Sequence, residues 1–125
     1  MKLLLATHIC LGYLLGDPRL LLQLQRAIAD LNTELWLSPI SIWETLILAG
    51  KGRTSLQPEP VTWVNLALKT QGTRKAQINH PIAILSRLIA LPHLDPADRF
   101  IVATAIYYGL KLATVDANLT GNPAL

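Results

Sequence analysis

Three of the eight acidic residues in this chain stand where they could do chemistry. Glu44 lies in the first turns of one predicted helix, Asp98 lies in the first turn of another, and Asp116 directly follows the last apolar run. Three carboxylates brought to one place would repel one another unless a divalent cation neutralised them. Carboxylate oxygens without histidine or cysteine partners favour Mg²⁺ or Mn²⁺ over zinc. The spacing therefore predicts a Mg²⁺ or Mn²⁺ site, provided that the fold brings the three residues together.

Each of these acids also has a purely structural interpretation. Glu44 could bond a backbone amide in a capping box, although a helix start at Ser38-Pro39 places it too deep for one. Asp95 and Asp98 fit the N-cap and the third position of a helix, and we favour the cap for Asp95. Asp116 could cap a short turn over residues 118–121. Only their shared position in the fold indicates a functional role for the acids.

The elements that must position the acids are short apolar runs alternating with longer amphipathic segments. The predicted strands span residues 2–5, 34–37, 75–78 at an edge, and 111–115. The predicted helices span residues 7–15 with Thr7 as cap, 19–30, 39 to 50 or 52, 61–70, 81–91 and 96–108. Strands that alternate with helices predict a parallel sheet covered on both faces. Right-handed crossovers then bring the ends of the strands, and with them the acids, to one edge of the sheet.

Composition limits the class of protein. A length of 125 residues predicts one domain over 1–125, and 51% hydrophobic against 15% charged residues excludes a disordered chain. One cysteine, Cys10, excludes an intrachain disulfide scaffold. The apolar run after Lys2 is interrupted by Thr7 and His8 and is too short to span a membrane. We therefore expect a cytoplasmic protein, and the apolar surplus suggests that a partner covers part of its surface.

Four segments occur in the order and spacing of PIN-domain toxins, at residues 3–8, 41–44, 95–99 and 114–116. On these segments the chain resembles a VapC-type toxin, the ribonuclease of a type II toxin–antitoxin pair, over essentially its whole length. The resemblance implies a three-layer α/β/α PIN-like domain with a mainly parallel central sheet. It also implies four acids that bind Mg²⁺ or Mn²⁺ and cleave RNA, a homodimer, and a cognate antitoxin whose C-terminal segment lies in a groove beside the acids.

The resemblance assigns roles to individual residues. The acids that carry over as catalytic residues and metal ligands are Glu44, Asp98 and Asp116. The positions expected to support these ligands without binding the metal are Thr7, Asp95 and Thr114. Ala6 stands where the family has its first aspartate, so this position offers no oxygen to a metal. Either the site has degenerated naturally, or an aspartate has been deliberately replaced by alanine. The intact flanking pattern favours the replacement. In both cases we expect very weak activity or none.

Basic side chains are the candidates for binding the substrate. Residues 49–90 hold six basic residues and one acid, a local charge of +5. The candidate RNA contacts are Arg99, Lys51 and Arg53, although Arg99 could equally pair with Asp95 or Asp98. The sequence thus predicts a metal-dependent endoribonuclease in an inactivated form. The alternative is a non-catalytic PIN-like module that binds RNA or a protein.

Overall fold

The computed structural model of the chain describes residues 1–15, 22–53, 55–70, 72–90 and 94–114. The strands in these ranges are β1 (Lys2–Leu5), β2 (Glu34–Leu37), β3 (Arg74–Lys75) and β4 (Lys111–Ala113). The helices are α1 (Thr7–Leu14), α2 (Leu22–Ala29), α3 (Pro39–Gly50), α4 (Pro60–Thr70), α5 (His80–Leu88) and α6 (Pro96–Tyr108). None of the helices in the described ranges has the length and apolar character needed to cross a membrane.

The strands form one parallel sheet in the order β3-β2-β1-β4. β1 occupies a central position, with Leu3 beside Lys111 on one side and Leu35 on the other. Leu3, Leu4 and Leu5 are 3%, 0% and 1% exposed, because a strand between two neighbours and two helical layers is covered on every side. The predicted parallel sheet is therefore confirmed.

Helices cover both faces of this sheet. Side chains of α1 and α2 pack with Leu5 and Leu37 on one face, in a cluster that includes Ile9 and Ile28. On the other face, Ile101 and other residues of α6 pack with Leu4. α5 packs on the outer side of α6 through a third cluster. This arrangement confirms the α/β/α fold.

Short-range signals set the ends of the helices that matter for the site. The Ser38 hydroxyl accepts the N–H of Ile40 at 3.0 Å and Pro39 follows at the first helical position, as predicted for the start of α3. Asp95 caps α6, again as predicted. Gly109 ends α6 with φ +66°, a left-handed conformation that glycine adopts without strain.

Several predicted boundaries differ from the structure. Thr7 is not the cap of α1, because the N-cap is Ala6 and the Thr7 hydroxyl has another partner. β3 is Arg74–Lys75 rather than 75–78, because Ala76 is buried against α6 and Asn79 already caps α5. α5 ends at Leu88, where Ile89 turns to an extended conformation and packs into the core. Three parts of the predicted elements lie outside the described ranges: residues 19–21 of the helix predicted over 19–30, residue 91 of the helix predicted over 81–91, and residue 115 of the strand predicted over 111–115.

Candidate active site at the carboxyl edge of the sheet

Ala6 marks the point where the central strand reaches the carboxyl edge. Its N–H donates to the carbonyl of Ala113 at 3.0 Å, and its own carbonyl accepts the N–H of Cys10 at 2.9 Å. The backbone is extended (φ −63°, ψ 156°), and the methyl side chain caps no amide of α1. Position 6 therefore lies between the end of β4 and the start of α1, at the middle of the edge where parallel sheets place their sites.

Thr7 connects this edge to Glu44. The Thr7 hydroxyl is the first polar group after β1, and it donates to Oε1 of Glu44 at 2.5 Å. Thr7 is 4% exposed and Glu44 is half-buried, so little water competes for this hydrogen bond. Two residues that are 37 positions apart in the chain thus meet at the end of β1.

The helix that carries Glu44 lies across the carboxyl edge. Ile40 packs with the core on the α6 side of the sheet, whereas Ile42 packs with the core on the α1 side. The buried Ser41 hydroxyl donates to the carbonyl of Leu5 at 3.5 Å, one turn before Glu44. Sequence reasoning treated Ser41 only as part of a motif. In the sequence, the one sign of this hydrogen bond between α3 and β1 was that Ser41 is a small polar residue among apolar neighbours.

Asp98 stands at the N-terminal turn of α6. Oδ1 of Asp95 accepts the N–H of Asp98 at 2.8 Å, and the Asp95 carbonyl accepts the N–H of Arg99 at 3.0 Å. The partial positive charge of a helix N-terminus favours a carboxylate in this first turn. Because α6 runs back along a parallel sheet before β4, this turn lies at the same edge as Ala6.

Arg99 follows Asp98, but its guanidinium faces the end of α5. Nε donates to the carbonyl of Ser86 and Nη2 donates to the carbonyl of Ile89, each at 2.8 Å. Both carbonyls belong to the last turn and the C-cap of α5. The side chain thereby joins the start of α6 to the end of α5, and its expected contact with RNA remains a prediction.

The other predicted RNA contacts lie away from Glu44. Lys51 and Arg53 are exposed and follow the C-terminal end of α3. Lys51 lies seven residues beyond Glu44, which is about 10 Å along the helix axis. These two side chains therefore follow the end of α3 that lies farther from Glu44, and their contact with RNA also stays a prediction.

Two predicted residues lie at or beyond the end of β4. Thr114 is half-buried and follows Ala113, whose carbonyl receives the N–H of Ala6. Asp116 lies outside the described residues. Across the described ranges, no three His, Cys, Asp or Glu side chains group together as a metal site. Burial raises the pKa of the Cys10 thiol to about 12, so this neutral thiol is a poor ligand.

An apolar cleft adjoins the edge on the α4 side. Its enclosed volume is about 20 Å³, and its walls include Leu5, which precedes Ala6, and Ile42 and Thr45, which flank Glu44. Trp63 and Leu68 of α4 form the opposite wall. This space is about that of a single water molecule, so the feature is a shallow apolar surface and not a deep pocket.

Known proteins resemble this chain over nearly its whole length. The family model for the PIN domain matches residues 3–123. The chain is 33% identical to ribonuclease VapC22 of Mycobacterium tuberculosis (strain ATCC 25618 / H37Rv) over 119 residues, which is 93% of this chain and 88% of that protein.

Solved structures resemble the fold. The crystal structure of VapBC2 from Rickettsia felis bound to a promoter DNA fragment has a TM-score of 0.72 at 16% identity, and the match covers 100% of this chain and 96% of that chain. A toxin–antitoxin complex from Klebsiella pneumoniae has a TM-score of 0.68 at 23% identity, over 97% of this chain and 92% of that chain. The family match across nearly the whole sequence and the identity to the mycobacterial protein establish that this chain belongs to the PIN-domain family.

Proposed function

We propose that this chain is the toxin of a type II toxin–antitoxin pair and has the architecture of a metal-dependent endoribonuclease. The observation that carries the proposal is the hydrogen bond from Thr7 to Glu44, directly beside Ala6 at the carboxyl edge. The capped turn that holds Asp98 starts at the same edge. The relationship to a mycobacterial protein named as a ribonuclease supports the same function.

The residues that would hold a Mg²⁺ or Mn²⁺ ion are Glu44, Asp98 and Asp116. Their carboxylate oxygens are the donors that these hard cations prefer, so the donor chemistry fits. When bound, such an ion lowers the pKa of a water molecule and stabilises the negative charge that develops on a phosphate. Ala6 leaves the set one oxygen ligand short of the family pattern. We therefore propose that the chain as it stands cleaves RNA very weakly or not at all.

Side chains around the ligands would fix their positions before RNA arrives. Thr7 holds one oxygen of Glu44 and leaves the other oxygen of that carboxylate to face a cation or a water. Asp95 holds the backbone of Asp98 through the first turn of α6. Thr114, beside the backbone pair of Ala6 and Ala113, would support the ligand at residue 116. Preorganised groups of this kind stabilise a transition state without rearrangement during the reaction.

Substrate binding would rest on phosphate neutralisation by basic side chains. Lys51 and Arg53 are exposed beyond the end of α3 and could hold a strand of RNA that extends away from the edge. Arg99 is the remaining candidate, and two of its N–H groups donate to carbonyls at the end of α5. Binding through such contacts weakens steeply as salt concentration rises.

The apolar surface around this cleft is the proposed contact for an antitoxin segment. Its walls include residues on both sides of Glu44, so an occupant would lie next to the ligands and exclude RNA. The family resemblance and the likeness to toxin–antitoxin complexes support a protein partner of this kind, and the resemblance also supports a homodimer. We place the activity in the cytoplasm, where RNA and a newly made antitoxin would meet the toxin.

Cleavage of total RNA tests the proposed chemistry. The chain and its Ala6→Asp variant are incubated with RNA in Mn²⁺ or Mg²⁺, with EDTA as the metal-free control. Ala6→Asn is the matched control, since it adds a side chain of the same size that is a weaker metal ligand. We expect Ala6→Asp alone to cleave efficiently. Equal inactivity of all three proteins would count against the nuclease.

A non-catalytic binding module is the second candidate, and Ala6 is the observation that favours it. The same fold without one ligand could still bind RNA or a protein through the cleft and the basic residues. If Ala6→Asp does not cleave RNA while both proteins bind RNA or a partner tightly, this second function replaces the first.

A further inference from the structure

We infer that Arg99 is a positioning residue for Asp98, and that it acts by tying the first turn of α6 to the last turn of α5. The inference rests on the proposed role of Asp98 as a metal ligand. It assigns to Arg99 a function other than the RNA contact expected from its position in the motif. The starting observation is the pair of 2.8 Å hydrogen bonds from Nε and Nη2 to the carbonyls of Ser86 and Ile89.

The carbonyls that Arg99 binds are ones that the end of a helix leaves without helical partners. α5 ends at Leu88, so the carbonyl of Ser86 has no helical amide four residues ahead of it. The C-cap residue Ile89 is extended and buried, which turns its carbonyl out of the helix. A guanidinium at this point satisfies two acceptors at once and places a positive charge at the negative end of the helix dipole.

The same side chain is attached to the turn that holds Asp98. The Arg99 N–H donates to the Asp95 carbonyl, while Oδ1 of Asp95 accepts the N–H of Asp98. The first turn of α6 is therefore stabilised by its own N-cap, Asp95, and by the hydrogen bonds of the Arg99 side chain to α5. First turns of helices tend to open locally, because few tertiary contacts hold them. A two-point contact with α5 limits this opening and keeps the Asp98 carboxylate at the edge of the sheet.

Substituting lysine or methionine for Arg99 separates the effect of its charge from that of its two hydrogen bonds. Arg99→Lys keeps the charge, but an ammonium is a point donor and does not span two carbonyls as a planar guanidinium does. Arg99→Met keeps much of the apolar stem and removes every donor. The matched control is Arg87→Met, which removes an exposed cation from the last turn of the same helix.

Amide hydrogen exchange, followed by NMR on the chain as it stands, reads the position of the turn directly and needs no metal. In Arg99→Met we expect the amides of Asp98 and of residue 99 to exchange at least about tenfold faster, with Arg99→Lys in between. The amide of the buried Val102 and all amides of Arg87→Met should change less than about twofold. Unchanged exchange at Asp98 in Arg99→Met would overturn the inference, as would an equal increase throughout α6.

Mn²⁺ affinity, measured by calorimetry in the Ala6→Asp background, links the turn to the site. Residues that orient a ligand typically change metal affinity by about 10–100-fold, and we expect a loss of this size for Arg99→Met but not for Arg87→Met. An unchanged affinity would show that Arg99 only stabilises the fold and would overturn the positioning role. If Ala6→Asp itself binds no Mn²⁺, the proposed function fails, and the exchange rates alone then decide whether Arg99 holds the turn.

Discussion

Restoring an aspartate at position 6 should change both the stability of the protein and its response to metal. Ala6 is the N-cap of α1 and caps no amide, so an aspartate there would accept an N–H of the first helical turn. Capping of this kind contributes about 1 kcal/mol. For an assumed separation of about 8 Å, repulsion between the new carboxylate and another at this edge costs about 2 kcal/mol at an effective dielectric constant of about 20. The metal-free Ala6→Asp protein should therefore be about as stable as the parent, or about 1 kcal/mol less stable.

Mn²⁺ should reverse this balance. At a concentration of about 100 times the dissociation constant, binding to the folded state contributes about 2.7 kcal/mol. For a domain of this size 1 kcal/mol corresponds to about 4 °C, so Ala6→Asp should gain about 10 °C in Tm. If the missing ligand weakens binding by about 10–100-fold, the parent chain should gain only about 2–6 °C at the same Mn²⁺ concentration.

Thermal unfolding followed by circular dichroism, with stepwise Mn²⁺ and an EDTA control, measures these shifts. Ala6→Asn separates the two effects, because asparagine caps a helix as well as aspartate does but adds no charge. We expect Ala6→Asn to raise the metal-free Tm by about 4 °C and to respond to Mn²⁺ as the parent does. Equal Mn²⁺ responses of Ala6→Asp and Ala6→Asn would refute the assignment of position 6 to the metal site.

Other changes test the contacts around the site. Thr7→Val removes the hydroxyl that binds Glu44 and should cost about 1.5 kcal/mol in urea unfolding, whereas Thr7→Ser should cost clearly less; equal costs would argue against the hydrogen bond. Asp95→Ala should cost about 1 kcal/mol through loss of the α6 cap, and no change would contradict the cap geometry. Gly109→Ala places a side chain at φ +66° and should cost about 1–2 kcal/mol in the same assay. Burial raises the pKa of Cys10 from 9.0 to about 12, so iodoacetamide at pH 8 should modify the thiol only in unfolded protein. Since the unfolded thiol ionises near its ordinary pKa and the folded one does not, stability should fall as pH rises through the window from about 9 to 12.

Local signals were enough to predict much of the fold. β1 and β2 begin and end at the predicted residues, because each holds a continuous apolar run of three residues after a charged one, a pattern that favours a short buried strand. The starts of α3 and α6 were predicted from a polar N-cap followed by proline, and their caps are confirmed. β3 was predicted at the wrong residues, since its only two residues are exposed and charged and their pairing with β2 depends on tertiary contacts.

The candidate site was harder to predict, because its contacts join distant parts of the chain. Local pattern placed Thr7 as a helix cap, and only the family resemblance placed it among the residues that support the ligands; its hydroxyl binds Glu44, 37 residues away. It placed Arg99 against RNA or a neighbouring acid, although the guanidinium binds carbonyls 10 and 13 residues earlier. In both cases the residue type identified a polar group that needs a partner. Only the packing of α3 and α5 decides which partner that is.

The position of β1 in the middle of the sheet sets the order in which the protein can be completed during synthesis. β1 pairs with β4 at Leu3 and Lys111, so β1 needs a neighbour that is made more than a hundred residues later. Pairing over such separations forms late in folding. The backbone bond between Ala6 and Ala113 closes the edge that carries the candidate ligands, and it depends on the same pairing. The edge that carries the candidate ligands is therefore assembled only after β4 has been made.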